Sequence, residues 1–392
     1  MTPKFDTGIL ATTRDDLRGH RAIVGLSGGV DSAVAALLLK ESGADVQALH
    51  MTNWDDDDGY CTAAADLQDA RRLCEQLDIP LHHVNFARDY KERVFEHFLS
   101  EYRAGRTPNP DVLCNREIKF GTFRQYARRL GGTCLATGHY ARIASADGQA
   151  QLFKAADTGK DQSYFLHAVS REALADTVFP LGNMQKPEVR RLARDRGLAV
   201  AEKRDSTGIC FIGERPFREF LAAWLPGNEG PIRTPEGRQL GEHRGLMYYT
   251  LGQRQGLGIG GRKNPTEEPW YVADKDLAGN ALIVVQGEHP LLYSNRLTGS
   301  EVNWIGPAPA ELAGGGVLRC KVKVRYRQPD QDCTVRPEPD DRLSVTFDKA
   351  QRAVAPGQYA VFYQGDRCLG GVVIDELHSE VHSRYRALRA AM

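Results

Sequence analysis

The sequence predicts an α/β N-terminal domain built on a parallel sheet, then a small glycine-rich central module, then a C-terminal β-barrel, and three observations carry that expectation. Short apolar runs alternate with longer helix-period segments between residues 21 and 141. Five glycines (Gly252, Gly256, Gly258, Gly260, Gly261) fall within ten positions. From residue 281 onward, short β-rich runs recur between Gly, Pro and Asp. Strands separated by crossover helices pair in parallel under two helical layers, whereas closely spaced short strands close into barrels. A chain of 392 residues has room for two or three domains, and the expected boundaries are 1–212, 213–280 and 281–392.

Taken in order, residues 22–26 read as a buried strand and 31–41 as a helix with apolar positions three and four apart. Residues 46–50 and 81–86 are again strand-like, with a helical pattern at 63–77 between them. Helical patterns at 90–102 and 116–130 precede a fourth strand at 134–137. The middle module opens on a helix at 217–224 and then becomes rich in Gly and Pro, a texture that needs backbone freedom more than packing. The barrel strands are expected at 281–285, 316–327, 342–347, 359–363 and 369–374.

Composition narrows the function classes. Charged residues at 26% and hydrophobic ones at 41% exclude a disordered or collagen-like chain. Lys plus Arg and Asp plus Glu are both 51, which argues against gripping a polyanion through overall charge and leaves only local basic surfaces. The longest apolar run, 33–39, is far short of the roughly 18 residues of a membrane span. Residues 1–20 lack the apolar centre of a secretory signal, so a cytoplasmic protein with no membrane partner is expected. Among the eight cysteines no two are closer than 13 positions, so no CxxC pair exists to start a zinc or iron–sulfur site, and no metal centre is expected. In a reducing compartment these are mostly free thiols, and a disulfide among them would be catalytic rather than structural.

The strongest local signal is Ser27-Gly28-Gly29-Val30-Asp31-Ser32, between the first strand and the first helix. Two glycines let the backbone approach an anion, both serines offer hydroxyls, and the N–H groups of a helix start point at the same spot. Neither GxxxxGK[ST] nor GxGxxG occurs here. A glycine-rich turn capped by serine and aspartate is the plainer alternative.

Two cysteines lie in motifs that invite chemistry. Cys114 follows Asn109-Pro110-Asp111-Val112-Leu113, just ahead of the helix expected from Arg116, with Lys119 close by. A thiol at a helix N-terminus beside cations is a better nucleophile, and Asp111 could serve as its acid or base. A cysteine packed under a turn is the alternative. Cys210, in Asp205-Ser-Thr-Gly-Ile-Cys210-Phe-Ile-Gly213, has apolar neighbours, and by itself reads as a small buried hydrophobe.

The clearest periodicity is Arg319-Cys-Lys321-Val-Lys323-Val-Arg325-Tyr-Arg327, which places five cations on one face of a strand with no acid between them. Such a face suits a polyanion; an edge strand protected by lysines is the alternative. Residues 103–129 carry seven Lys or Arg against two acids, and 186–204 seven against three, so basic clusters flank Cys114 and precede Cys210.

The loop SGGVDS resembles the PP-loop of the ATP pyrophosphatases, which release pyrophosphate while transferring AMP to a substrate oxygen. With NPDVLCN, ATGHYAR, KDQSYFL, DSTGICFIG, GQRQGLGIGG and VRYRQ in this order, residues 21–378 resemble the bacterial tRNA-specific 2-thiouridylases. The resemblance implies a PP-loop, adenine nucleotide alpha hydrolase-like catalytic domain followed by a tRNA-binding barrel. It implies that Gly25, Leu26, Ser27, Gly28, Gly29, Val30, Asp31 and Ser32 hold the phosphates of ATP, with magnesium, and that Met51 and Gly138 meet its nucleoside. Asn109, Pro110 and Asp111 would touch the target base of the tRNA. His139, Lys160, Asp161, Gln162, Arg325, Tyr326 and Gln358 would contact the rest of it. Cys114 would be the nucleophile and Cys210 the persulfide carrier, loaded by a cysteine desulfurase or a sulfur-relay protein and left disulfide-bonded to Cys114 after turnover. The rival readings are a PP-loop synthetase acting on a small metabolite and a non-catalytic RNA-binding module.

Overall fold

A computed structural model of the chain describes residues 17–54, 63–146, 148–205, 212, 215–259 and 268–390. Its first body begins with β1 (Arg21–Gly25), α1 (Val30–Glu41), β2 (Asp45–Thr52), α2 (Ala63–Leu77) and β3 (Leu81–Asn85). The helical layer continues with α3 (Ala87–Tyr90), a π-helical turn (Lys91–Phe95) and α4 (Glu96–Arg103), then α5 (Pro110–Leu113), a second π-helical turn (Cys114–Thr122) and α6 (Phe123–Arg129). Next come β4 (Cys134–Thr137), β5 (Arg142–Ala146), β6 (Gln149–Phe153), α7 (Ser163–Leu166), α8 (Arg171–Ala175), β7 (Thr177–Val178) and α9 (Lys186–Asp195).

Five of these strands form a parallel sheet in the order β3-β2-β1-β4-β7. Ala22, Ile23 and Val24 are fully buried because helices cover both faces, and α1, with Ala33 to Leu39 all buried, is apolar almost all round for the same reason. The chain leaves β1 toward β2 and returns on its other side with β4. That reversal opens a crevice at the carboxyl ends of β1 and β4, where ligands of open α/β sheets bind.

The middle module contains α10 (Phe217–Trp224) and a four-stranded sheet of β8 (Gly230–Arg233), β9 (Gln239–His243), β10 (Trp270–Asp276) and β11 (Ala281–Gln286), in the order β10-β11-β8-β9. The barrel is made of β12 (Tyr293–Trp304), β13 (Leu318–Lys323), β14 (Gln331–Glu338), β15 (Arg342–Arg352), β16 (Tyr359–Gln364) and β17 (Arg367–His378), and is followed by α11 (Glu380–Ala390). Pairing of β12 with β17 closes the six strands. β17 also pairs with β6, so the β5–β6 hairpin of the first body extends the barrel sheet. Among the described residues no helix is long and apolar enough to cross a membrane.

Three expectations need correction. The strand expected at 281–285 to open the barrel is β11, which pairs antiparallel with β10 in the middle sheet; a local hairpin through Asn280 (φ 46°) fixes its partner. The helix expected from 116 starts at Pro110, whose fixed φ suits a first helical position. The run 316–327 is a strand only over Leu318–Lys323, and the chain turns after that.

Candidate active site

The phosphate loop sits at the reversal point. Gly28 has φ +76°, and a Cβ on it would lie 2.6 Å from the Asp66 carbonyl oxygen, so both the turn and the contact require glycine there. Ser32 Oγ donates to the Gly29 carbonyl at 3.0 Å, accepts from the Ser27 N–H at 3.2 Å and meets Ser27 Oγ at 3.1 Å. The N-cap Gly29 offers no side chain, which leaves the first N–H groups of α1 for an anion. Gly138, just after β4, packs so closely that a Cβ would lie 2.7 Å from the Ser32 nitrogen. Gly25 faces the Phe123 ring, and Leu26 pairs with Leu49 of β2. Met51, half-buried, is the penultimate residue of β2 and pairs with Val84 of β3. His50 Nδ1–H donates to the Leu26 carbonyl at 2.8 Å, and burial lowers its pKa.

The Asp31 carboxylate is held by residues from beyond the loop. It accepts from Tyr140 OH at 2.8 Å and from Lys186 Nζ at 2.7 and 2.8 Å. Lys186, almost wholly buried at the start of α9, also pairs with Asp205 at 2.8 Å, and Asp205 takes Arg190 at 2.6 Å and Lys160 at 2.9 Å. Burial alone would raise the Asp205 pKa, but hydrogen bonds from Lys186 and Lys160 hold it at about 2. The sequence showed the basic cluster at 186–204 but not that Lys186 ties the phosphate loop to Asp205. Among the described residues no three His, Cys, Asp or Glu side chains converge as metal ligands.

The thiol side is built on the Pro110 helix. Asn109 is its extended N-cap, Pro110 its first residue and Asp111 its second, and Cys114 begins the π-helical turn one turn further on. Cys114 is 2% exposed, packed with Val112, Leu113 and Ile118. It is therefore the fifth helical residue rather than the helix-terminal thiol expected, and the dipole argument for its activation weakens. Arg116 is engaged by Glu117 at 2.7 Å and Glu301 at 3.4 Å. Asn115 donates to the Phe165 carbonyl at 3.1 Å.

Asp111 reaches solvent yet is walled by protein; this desolvation raises its pKa, and Lys119 partly offsets the rise. His139 is buried and bonded to Thr137 Oγ1 at 2.7 Å, and burial together with Lys119 lowers its pKa well below the usual range. Lys119 thus lies within Coulombic reach of both. At 3.6 residues per turn, positions five apart diverge by about 140°, whereas i→i+5 winding stacks them. The π-helical turn therefore sets positions 114 and 119 closer to one face than an α-helix would, a relation that α-helical periodicity hides.

The residues expected on tRNA do not form one open surface. Lys160 is spent on Asp205. The Asp161 carboxylate is buried and accepts from Ala155 N–H at 3.0 Å, Ser163 N–H at 3.2 Å and Ser163 Oγ at 2.9 Å. Gln162 Oε1 accepts from the Tyr140 N–H at 2.9 Å. Arg325 donates to the Leu251 and Ala353 carbonyls at 3.1 and 2.5 Å, and the Tyr326 ring packs 4.4 Å from that of Phe165. Gln358 reaches the carbonyls of Thr107 and Pro108. Three of the five cations of the basic run have acid partners: Arg319 pairs with Asp348, Lys321 with Asp332 at 3.9 Å, and Lys323 with Asp330 at 3.9 Å and Asp161 at 4.0 Å. Cys210 lies outside the described residues.

Comparison with known proteins matches the geometry to families. Residues 20–214 match the tRNA methyl transferase HUP domain, 218–286 the tRNA methyl transferase PRC-barrel domain and 294–374 the aminomethyltransferase beta-barrel domain. The tRNA-specific 2-thiouridylase MnmA of Methylococcus capsulatus is 59% identical over 359 residues, covering 90% of this chain and 95% of that protein. MnmA of Escherichia coli strain SMS-3-5 is 56% identical over 360 residues, covering 91% and 97%. The solved U34-tRNA thiolase NcsA of Methanococcus maripaludis overlaps 53% of this chain and 65% of its own at 20% identity, with a TM-score of only 0.33. With 90% of its length matched at 59% identity, the chain belongs to the tRNA-specific 2-thiouridylase family.

Proposed function

We propose that the chain converts the wobble uridine of tRNA, position 34, to 2-thiouridine in an ATP-dependent reaction that releases AMP and pyrophosphate. The observation that carries this reading is the meeting of two half-sites at one sheet edge. The phosphate loop touches Gly138, His139 follows it, and Lys119 lies within electrostatic reach of both His139 and Asp111, which shares its short helical segment with Cys114.

A carbonyl oxygen is a poor leaving group and must first be activated. The uridine O2 attacks the α-phosphorus of ATP, the Pα–O bond to the β-phosphate breaks, and pyrophosphate departs onto the N–H groups of the Ser27–Ser32 loop. The base N3 proton passes to Asp111, whose pKa is raised by desolvation, making it a stronger base than an ordinary carboxylate. Lys119 offsets negative charge in this step, while neutral His139 adds none. The terminal sulfur of a Cys210 persulfide then attacks C2 and displaces AMP. Attack of the Cys114 thiolate on the Cys210 sulfur frees the C2 sulfur as the thiocarbonyl and leaves a Cys114–Cys210 disulfide for a thiol reductant. In the alternative order, Cys114 first cleaves the persulfide and hydrosulfide attacks C2. The apolar packing of Cys114 keeps water from the adenylate.

Magnesium would arrive on the triphosphate. Asp31, the carboxylate of the loop, has both oxygens engaged, so the described residues do not fit a resident ion. A cysteine desulfurase or relay protein would supply the persulfide in the cytoplasm, and the base must leave its stack to reach Asp111. The test is thiouridine formation by Cys114→Ser and Cys210→Ser with ATP and a sulfur donor. Each variant is expected to lose thiolation entirely while binding tRNA normally, and product from either overturns the scheme. Pyrophosphate release should also require tRNA, since a metabolite synthetase would need none and a mere binding module would release none.

A further inference from the structure

We infer that Gln358 is a positioning residue that holds the segment carrying Asn109, Asp111 and Cys114 in register for the base, a role separate from any contact with RNA. The inference rests on the reading of that segment as the base site. Gln358 Nε2 donates to the carbonyls of Thr107 at 2.8 Å and Pro108 at 3.2 Å, the two residues just before Asn109. Both acceptors are carbonyl oxygens, so the amide orientation is fixed by chemistry.

The hold is anchored on the barrel side. The Gln358 carbonyl accepts from the Ile374 N–H and the Gly357 N–H donates to the Ile374 carbonyl, each at 2.8 Å, which fastens this turn to β17. The Thr107 N–H donates to the Pro356 carbonyl at 2.8 Å. At Gly357, with φ +88°, a Cβ would lie 3.0 Å from the Thr107 nitrogen, so the two backbones meet where no side chain fits. Arg106 adds a bond to Asp375 of β17 at 3.4 Å.

The middle module holds the same strap from its other side. Lys275 Nζ donates to the Gly105 carbonyl at 2.8 Å, and Leu277 lies against Gly105, where a Cβ would be 2.6 Å from its Cδ2. Arg325 links the two holders by its bonds to Leu251 and Ala353.

What makes the strap transmit position is its sequence, Thr107-Pro108-Asn109-Pro110. Each proline fixes its own φ and restricts the residue before it, so all four residues have little torsional slack. A shift of the Thr107 and Pro108 carbonyls therefore moves Pro110, the first residue of the catalytic helix, and with it Asp111 and Cys114. Misplacement of reacting groups by about 1 Å costs on the order of a hundredfold in rate.

The experiment compares Gln358→Ala and Gln358→Glu with the parent chain in single-turnover thiolation at saturating ATP, alongside filter binding of tRNA. Glu keeps the length but loses the donor. Both variants are expected to lose about tenfold or more in the rate at saturating tRNA, with tRNA affinity within about twofold of the parent. Lys275→Met, which loosens the strap from the opposite side, should show the same split and serves if the Gln358 variants fail to fold. Weaker tRNA binding with an unchanged saturated rate would overturn the inference and make Gln358 a direct RNA contact. An unchanged rate and affinity would overturn it as well. Activity of Cys114→Ser would instead overturn the reading of the site itself.

Discussion

In the proposed mechanism Asp111 carries the acid–base chemistry, and its environment sets a pH signature. Desolvation raises its pKa, and Lys119 pulls it back only in part. As a base it works deprotonated, so activity is present above that raised pKa and is lost as pH falls through it. The acid limb of the single-turnover thiolation rate is therefore expected at a higher pH than an ordinary aspartate would place it. Asp111→Asn should remove that limb and slow the reaction about a hundredfold or more; a rate profile unchanged in shape would exclude Asp111 as the base. Asp111 was legible in the sequence because it shares a short segment with Cys114. Lys186 was not, because the carboxylate it grips at the phosphate loop lies 155 positions away.

At the scale of elements, periodicity reads one face at a time and cannot see what lies across it. Strand β13 does alternate as expected, with Leu318, Cys320 and Val322 buried and Arg319 and Lys321 exposed. The run carries no acid of its own, which suggested an uncovered cationic face. The acids come from β14, β15 and distant loops, as Asp332, Asp348, Asp330 and Asp161. Lys323 illustrates the difference. Its ammonium lies over the Tyr363 ring, 4.0 Å from the buried Asp161 carboxylate, and is mostly buried itself. Lys323→Met should therefore lower stability in urea unfolding by about 1–2 kcal/mol, below the usual loss for a buried pair because Asp161 keeps its other donors. The salt dependence of tRNA binding should change little; a flattened slope with unchanged stability would return Lys323 to the RNA face. The π-helical turn at Cys114–Thr122 escaped notice for a related reason, since its winding matches neither of the two periods that sequence patterns reveal.

The whole molecule behaves as more than three domains in a row, because the first body and the barrel share a strand pairing and a core. One cluster joins Phe95, Phe120 and Tyr164 to Tyr359, Val361 and Tyr363. The β5–β6 hairpin could not be assigned from sequence because its partner β17 lies at the far end of the chain. His167 sits in that seam. Its Nδ1–H donates to the Tyr164 carbonyl at 2.7 Å, its own carbonyl accepts from Asn303 at 2.6 Å, and its ring meets Tyr359 edge-on at 4.9 Å. Burial, opposed by the Tyr164 bond and reinforced by Arg116, lowers its pKa from 6.5 to about 4. Between those values the unfolded chain binds the proton and the folded chain does not, so stability rises with pH there and is lost as pH falls from 6.5 toward 4. The full shift corresponds to about 3 kcal/mol, of which about 2 kcal/mol is gone by pH 5. Burial also lowers the pKa of His50, His139 and His243, which steepens the same decline. Urea unfolding at pH 7 and pH 5 should show the loss, and His167→Asn, which keeps a donor for Tyr164, should reduce it by about 2 kcal/mol. An identical pH dependence in the variant would mean that His167 titrates alike in both states. Because the histidine joins the two bodies, the loss should reach the first body and the barrel in one transition, and separate acid transitions would show that the shared core does not couple them.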